Sequence, residues 1–145
     1  MNEYRRGSHT VYDIQLHLVW VTKYRYHMLK GEVGVRARDL IRQACLSREV
    51  QILQGSVGAD HVHILVSIPP ELSVSKLMQF IKGRTSHVLQ SEFPHLKKRY
   101  WGRYFWARGY FCASVGTVTE EIIRQYIANQ ETQPDVEDSF KVEKS

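Results

Sequence analysis

The sequence predicts an α+β fold, an antiparallel four-stranded sheet with helices on one face, and three observations predict it. Alternating and helical apolar periods follow one another in the order β-α-β-β-α-β-α. Two of the alternating runs are separated only by a three-residue turn, as in a hairpin. The 145 residues contain no internal repeat and no low-complexity segment, which suits a single domain.

Asp13–Tyr24 alternates, with Ile14, Leu16, Leu18 and Trp20 on one face, and predicts the first strand. From Gly34 to about Arg48, Ala37, Leu40, Ile41 and Ala44 recur at the helical period, with Arg36, Arg38, Arg42 and Arg48 decorating the helix. Val50–Val57 predicts a second strand, Gly58-Ala59-Asp60 a tight turn, and His61–Ile68 a third strand ended by Pro69-Pro70. Ser73 can cap the next helix, whose core stripe is Val74, Leu77, Met78, Ile81, Thr85 and Val88 and which runs to about Gln90. Phe93–Arg103 reads as irregular, basic and aromatic, and Tyr104–Ser114 as a fourth strand. Thr117 or Thr119 can cap a last helix through Ile122, Ile123, Tyr126 and Ile127 to about Gln130. The first six elements match the ferredoxin-like, RRM-like βαββαβ arrangement, and the final helix is an extra C-terminal element. Residues 1–130 are thus expected to form the domain, and 131–145 an acidic, solvated tail.

Composition narrows the partners. The hydrophobic fraction of 43% is ordinary for a globular protein, and no apolar run approaches the ~20 residues of a membrane span. Met1–Thr10 is polar and basic, unlike a secretory leader. Cys45 and Cys112 are isolated in apolar contexts, so reduced, buried thiols in a cytoplasmic protein are the expectation. Residues 1–130 hold 18 Lys/Arg against 10 Asp/Glu, a balance of +8, whereas 131–145 hold two against five, a balance of −3. A basic body suits an anionic partner, most often nucleic acid, although a basic solvated surface has the same composition.

Four groups of residues could carry chemistry. In Asp60-His61-Val62-His63 the two histidines share a strand face, a natural metal half-site, while Val62, Ile64 and Val66 point the other way into the core. An isolated His-x-His is short and frequent, so packing without a metal stays open. Tyr126 and Gln130 lie four apart on the last helix, one above the other. A tyrosine can act as a nucleophile, but Tyr126 also falls between Ile122 and Ile123 on the helical wheel, where a core tyrosine would sit. Lys76, Phe80, Arg84 and His87 form an outward line on the second long helix. The run Lys97-Lys98-Arg99-Tyr100-Trp101-Gly102-Arg103 alternates charge and ring, a pattern that suits phosphates and unpaired bases. For both basic groups a solvated surface is the competing reading.

In combination, these pieces resemble the single-tyrosine HUH transposases of the smallest bacterial insertion sequences, the IS200-like family. The resemblance runs from Tyr12–Tyr24 through Asp60-His61-Val62-His63 and Trp106-Ala107-Arg108-Gly109-Tyr110-Phe111 to Tyr126-x-x-x-Gln130. It implies that His61, His63 and Gln130 bind a divalent cation, Mg²⁺ or Mn²⁺, and that Tyr126 is the nucleophile. It also implies a homodimer in which the last helix serves the partner's histidines. The implied reaction is transesterification through a 5′-phosphotyrosine on single-stranded insertion-sequence ends carrying a hairpin. Lys76, Arg84 and Lys97 to Arg99, together with Arg103 and Arg108, are the expected backbone contacts.

Three other readings fit parts of the sequence. A domesticated, repeat-associated tyrosine transposase would use the same site. A non-catalytic single-strand-binding module would use the same sheet, but such modules usually present paired aromatics where this chain has histidines. A metal-dependent nuclease using water would leave Tyr126 structural.

Overall fold

The computed structural model describes residues 4–100, 104–116 and 120–130. Within them the expected order is present with additions at its margins. A short ribbon, β1 (Arg5–Arg6) and β2 (Val11–Tyr12), precedes β3 (Gln15–Val21), α1 (Gly31–Ser47), β4 (Gln51–Val57), β5 (His61–Ser67), α2 (Val74–Glu92), α3 (Pro94–Tyr100), β6 (Phe111–Ser114) and α4 (Glu120–Ala128). The main sheet runs β4-β5-β3-β6 and every neighbouring pair is antiparallel. This is the ferredoxin-like order, with the first and third strands of the motif central.

Register explains the two faces of the sheet. Leu18 lies opposite Ile64 and Trp20 opposite Val62, so these four side chains share one face. Both α1 and α2 cover that face with Ala37, Leu40, Ile41, Leu77, Met78 and Ile81, all almost fully buried. Each large aliphatic side chain removed from water there contributes about 1.5–3 kcal/mol. The odd-numbered residues of β3 point the other way: Val19 pairs with His63, Val21 with His61. Against this second face lies α4, whose Ile123 is buried. The extra helix therefore sits opposite the other two.

Several boundaries differ from the sequence reading, each for a physical reason. The first strand stops at Val21, nearer than Tyr24, because Tyr24 and Arg25 adopt left-handed φ values of 60° and 56°. The first helix begins at Gly31, three residues earlier than the periodicity suggested, because Val33 already faces the core. The stretch after Phe93 is not irregular throughout. Pro94, whose fixed φ suits a first helical turn, opens α3, and Leu96 anchors it with a fully buried side chain.

The fourth strand is Phe111–Ser114 alone, not Tyr104–Ser114. Phe105 and Trp106 are buried instead as core side chains, with the Trp106 ring 5.9 Å from Trp20 and its Nε1 donating to Thr85 Oγ1 at 2.8 Å. Gly109, at φ +86°, turns the chain before the strand starts. Phe80 is half-buried, not displayed among the cations, and the Arg48 guanidinium covers its ring at 4.0 Å. Cys45 is buried as expected, and burial pushes its thiol up to about 12. Cys112 is exposed on edge strand β6, so the expectation of two buried thiols is corrected. Among the described residues, no helix is long and apolar enough to cross a membrane. The capping threonines Thr117 and Thr119, the segment Trp101-Gly102-Arg103 and the tail 131–145 lie outside the described residues.

Candidate active site

The strand β5 alternates as its sequence requires: Val62, Ile64 and Val66 are buried in the core, while His61 and His63 point to the opposite face and remain half-exposed. They line a cavity of about 360 Å³, closed by Arg25, Ser56 and Asp60 on the sheet side and by Glu120, Ile123, Arg124 and Ile127 of α4. Gly58, in the hairpin turn, has a specific part in this. A Cβ placed there would overlap the His61 imidazole, lying 2.9 Å from both ring nitrogens. Only glycine leaves room for the ring to fold over the turn.

Each imidazole has one nitrogen engaged. His61 Nδ1 lies 2.9 Å from Asp60 Oδ1, so a neutral His61 donates from Nδ1 and keeps its lone pair on Nε2. Asp60 Oδ2 in turn accepts from Arg25 Nε at 3.0 Å. Burial pushes the Asp60 carboxyl up, but the hydrogen bonds and charges of His61 and Arg25 outweigh it and hold it below the ordinary carboxylate value. His63 Nε2 lies 3.0 Å from His17 Nδ1, on the neighbouring strand. Burial, and to a smaller extent the neighbouring His17 and His61, lower the His63 pKa, against an opposing pull from Glu120. The neutral form of His63, the form that binds cations, is thereby favoured.

This donor set fits a divalent cation as a half-site. Two imidazoles share one cavity, and a carboxylate behind His61 fixes its tautomer, as carboxylates do behind many metal-bound histidines. Gln130 is not brought to them: its Nε2 donates to the Tyr126 carbonyl at 3.1 Å, one turn back on the same helix. Among the described residues, no three His, Cys, Asp or Glu side chains are grouped as a complete cation site.

Tyr126 is also outside the cavity. Its ring packs on Phe111 of β6, with centroids 5.5 Å apart, and burial there raises the phenol pKa. In this docking it is a half-buried packing tyrosine, outside the main hydrophobic core, with Ile123 buried beside it and Ile122 exposed. Within one chain, α4 thus covers the histidines with its Glu120–Ile127 face and turns Tyr126 and Gln130 to the side.

The basic residues divide. Lys76 and Arg84 on α2, Lys97 and Lys98 on α3, and Arg108 are exposed. Arg99 is partly covered, its guanidinium 3.9 Å from the centroid of the Tyr26 ring. Arg103 lies outside the described residues. The loop bearing Arg108 is fastened by Lys82, whose Nζ donates to the carbonyls of Ala107 and Gly109 at 2.8 and 2.9 Å. Sequence reasoning missed His17, Arg25 and the role of Asp60. The alternation of β3 could have found His17, because it places His17 on the strand face that does not carry Leu16 and Leu18. Asp60 was read as a turn residue and as the head of the His-x-His motif, with no role of its own.

Comparison with known proteins gives a consistent picture. Residues 10–130 match the family model described as IS200-like transposase. The chain is 37% identical over 130 residues to the transposase of insertion sequence element IS200 from Salmonella typhimurium, covering 90% of this chain and 85% of that one. It is 30% identical over 128 residues to the ISDra2 transposase TnpA of Deinococcus radiodurans, covering 88% and 91% respectively. Among solved structures, a candidate transposase from Deinococcus radiodurans superposes with a TM-score of 0.82 at 32% identity, over 89% of this chain and 99% of that one. A REP-associated tyrosine transposase bound to a REP hairpin shares the fold at a TM-score of 0.56 and 18% identity, over 88% of this chain and 68% of the other.

Proposed function

This chain belongs to the IS200-like transposase family, and from that premise we propose that it cuts and rejoins single-stranded DNA at insertion-sequence ends through Tyr126. The observation that carries the proposal is the cavity itself. His61 and His63 project side by side into it, His61 backed by Asp60, and Arg25 lines the same cavity. His61 through Nε2 and His63 would hold a Mg²⁺ or Mn²⁺ ion, with Gln130 as the third protein donor. When bound, such an ion polarises a non-bridging phosphate oxygen and offsets charge developing on it.

The chain's own residues then account for the exchange. Tyr126 Oη attacks phosphorus, the Oη–P bond forms, and the bond from phosphorus to the 3′-oxygen breaks. The phenol proton is lost, and the leaving 3′-oxygen takes up a proton to become a hydroxyl. A second 3′-hydroxyl can reverse the step on the 5′-phosphotyrosine, releasing the phenol and joining two strands. One phosphodiester replaces another, so no ATP is consumed.

Tyr126 packs on Phe111, outside the cavity that its own α4 lines, so delivery of Tyr126 and Gln130 would require α4 to leave this place and dock on the histidines of a second copy. The reading is therefore a homodimer with shared sites. A hairpin in the substrate is part of the proposal, in line with the REP-associated relative's ligand. Its backbone contacts would come from Lys97 and Lys98, with Lys76, Arg84 and Arg108 as further candidates.

The test is covalent capture. Labelled single-stranded DNA from the sequences flanking the gene is incubated with the protein and Mn²⁺ or Mg²⁺ and run on a denaturing gel beside Tyr126→Phe. A metal-dependent shifted band absent from the variant supports the reading. Cleavage with no adduct would instead indicate hydrolysis by water.

A further inference from the structure

The geometry points to Arg25 as a catalytic residue that grips the scissile phosphate in the His61–His63 cavity, an inference that rests on the reading above. The first observation is the backbone. Tyr24 and Arg25 are consecutive non-glycine residues with φ of 60° and 56°, a conformation that L side chains adopt at an energetic cost and that clusters at functional sites. Glu49 also has positive φ, but it follows Arg48, the C-cap of α1, at the position where a left-handed residue commonly terminates a helix.

The Tyr24–Arg25 turn is held in place from several sides. Fully buried Thr22 donates its backbone N–H to Asp60 O at 2.9 Å and its hydroxyl to Tyr26 O at 2.7 Å. Arg25 N donates to Thr22 O, and Lys23 N to Phe105 O, both at 2.9 Å.

The second observation is what the turn presents. Arg25 gives only Nε to Asp60 Oδ2, so the carboxylate aligns the guanidinium while both terminal amino groups have no hydrogen-bond partner among the described residues. The side chain lines the same cavity as His61 and His63. The cavity's other arginine, Arg124, is more exposed and lies near Glu120 and Glu121 of its own helix, at 3.7 and 3.4 Å. Arg25 is therefore the held cation with donors to spare. Two parallel N–H groups match two non-bridging oxygens of a phosphodiester, and they would stabilise the charge that develops as Tyr126 attacks.

Two measurements with wild type, Arg25→Gln and Arg25→Lys decide the matter. The first is affinity for the single-stranded flanking DNA across a salt series without metal. Losing one phosphate contact lowers the slope of log affinity against log salt by about 0.7. Arg25→Gln is expected to show that drop, and Arg25→Lys, which keeps the charge, to retain the wild-type slope. The second is the rate of adduct formation at saturating Mn²⁺, expected to fall about 100-fold in Arg25→Gln and to recover in part with added guanidinium.

An unchanged slope in Arg25→Gln overturns the inference. So does an adduct rate that saturating Mn²⁺ restores fully, because Arg25 would then act only through Asp60 on the cation site. If wild type forms no adduct at all, the tyrosine reading fails, while the salt slope still decides whether Arg25 contacts phosphate.

Discussion

Asp60 and His61, adjacent in sequence, are joined by a 2.9 Å hydrogen bond from His61 Nδ1 to Asp60 Oδ1, and this bond sets which imidazole nitrogen remains for a cation. Removing it should be felt in metal affinity before anything else. Asp60→Ala is expected to weaken Mn²⁺ binding by about 10–100-fold, as loss of such partners does elsewhere, read by calorimetric titration of the DNA-free protein. Affinity equal to wild type would show that the contact does not orient His61.

Gly58 makes a comparable demand by steric means. Gly58→Ala puts a methyl group into the volume of the His61 ring. The ring must swing away, so Mn²⁺ affinity should fall without a change in the hairpin's backbone pairing. NMR chemical shifts of the His61 imidazole would report the displacement, and a ring signal identical to wild type would contradict it.

The depressed pKa of His63 predicts a pH effect on the metal-free protein. Its ordinary value is 6.5 and burial lowers it in the fold. As pH falls below 6.5 the unfolded chain takes up a proton that the native chain resists, so stability declines until pH passes the native pKa. His63→Gln should remove that decline. Urea denaturation at pH 7.5 and at pH 5.5 would show a smaller difference in the variant, and an equal difference would place the acid sensitivity elsewhere.

On α3, Lys97 and Lys98 are exposed, whereas Arg99 is covered by Tyr26 contact. Neutralising the two lysines to Gln should weaken binding of single-stranded flanking DNA and reduce the salt slope by about 1.4, that is about 0.7 per phosphate. A slope unchanged from wild type would mean that α3 faces solvent in the complex.

Much of this was legible in the sequence because burial imposes periodicity. The core-facing sides of β3 and β5 followed from Leu18/Trp20 and Val62/Ile64, and the same alternation put His61 and His63 on one face. Where tertiary contact overrides local pattern, the reading slipped. Phe105 and Trp106 look like strand residues but are core plugs. The charged face of α3 conceals a helix that the fully buried Leu96 ties to the core. Arg25 could not be found this way, since a left-handed φ at a Tyr-Arg pair leaves no compositional trace. Nor could the docking of Tyr126 on Phe111, which depends on how α4 lies across the sheet.

The sharpest single test coexpresses two differently tagged chains, one Tyr126→Phe and the other His61→Ala, and purifies the doubly tagged dimer. It is then incubated with single-stranded flanking DNA and Mn²⁺. Neither variant alone should form an adduct. Sites shared between subunits predict that the mixed dimer does, with the DNA on the chain that lacks His61 and retains Tyr126. A mixed dimer as inert as its parents, under conditions where wild type is captured, would contradict delivery of Tyr126 to the partner's histidines.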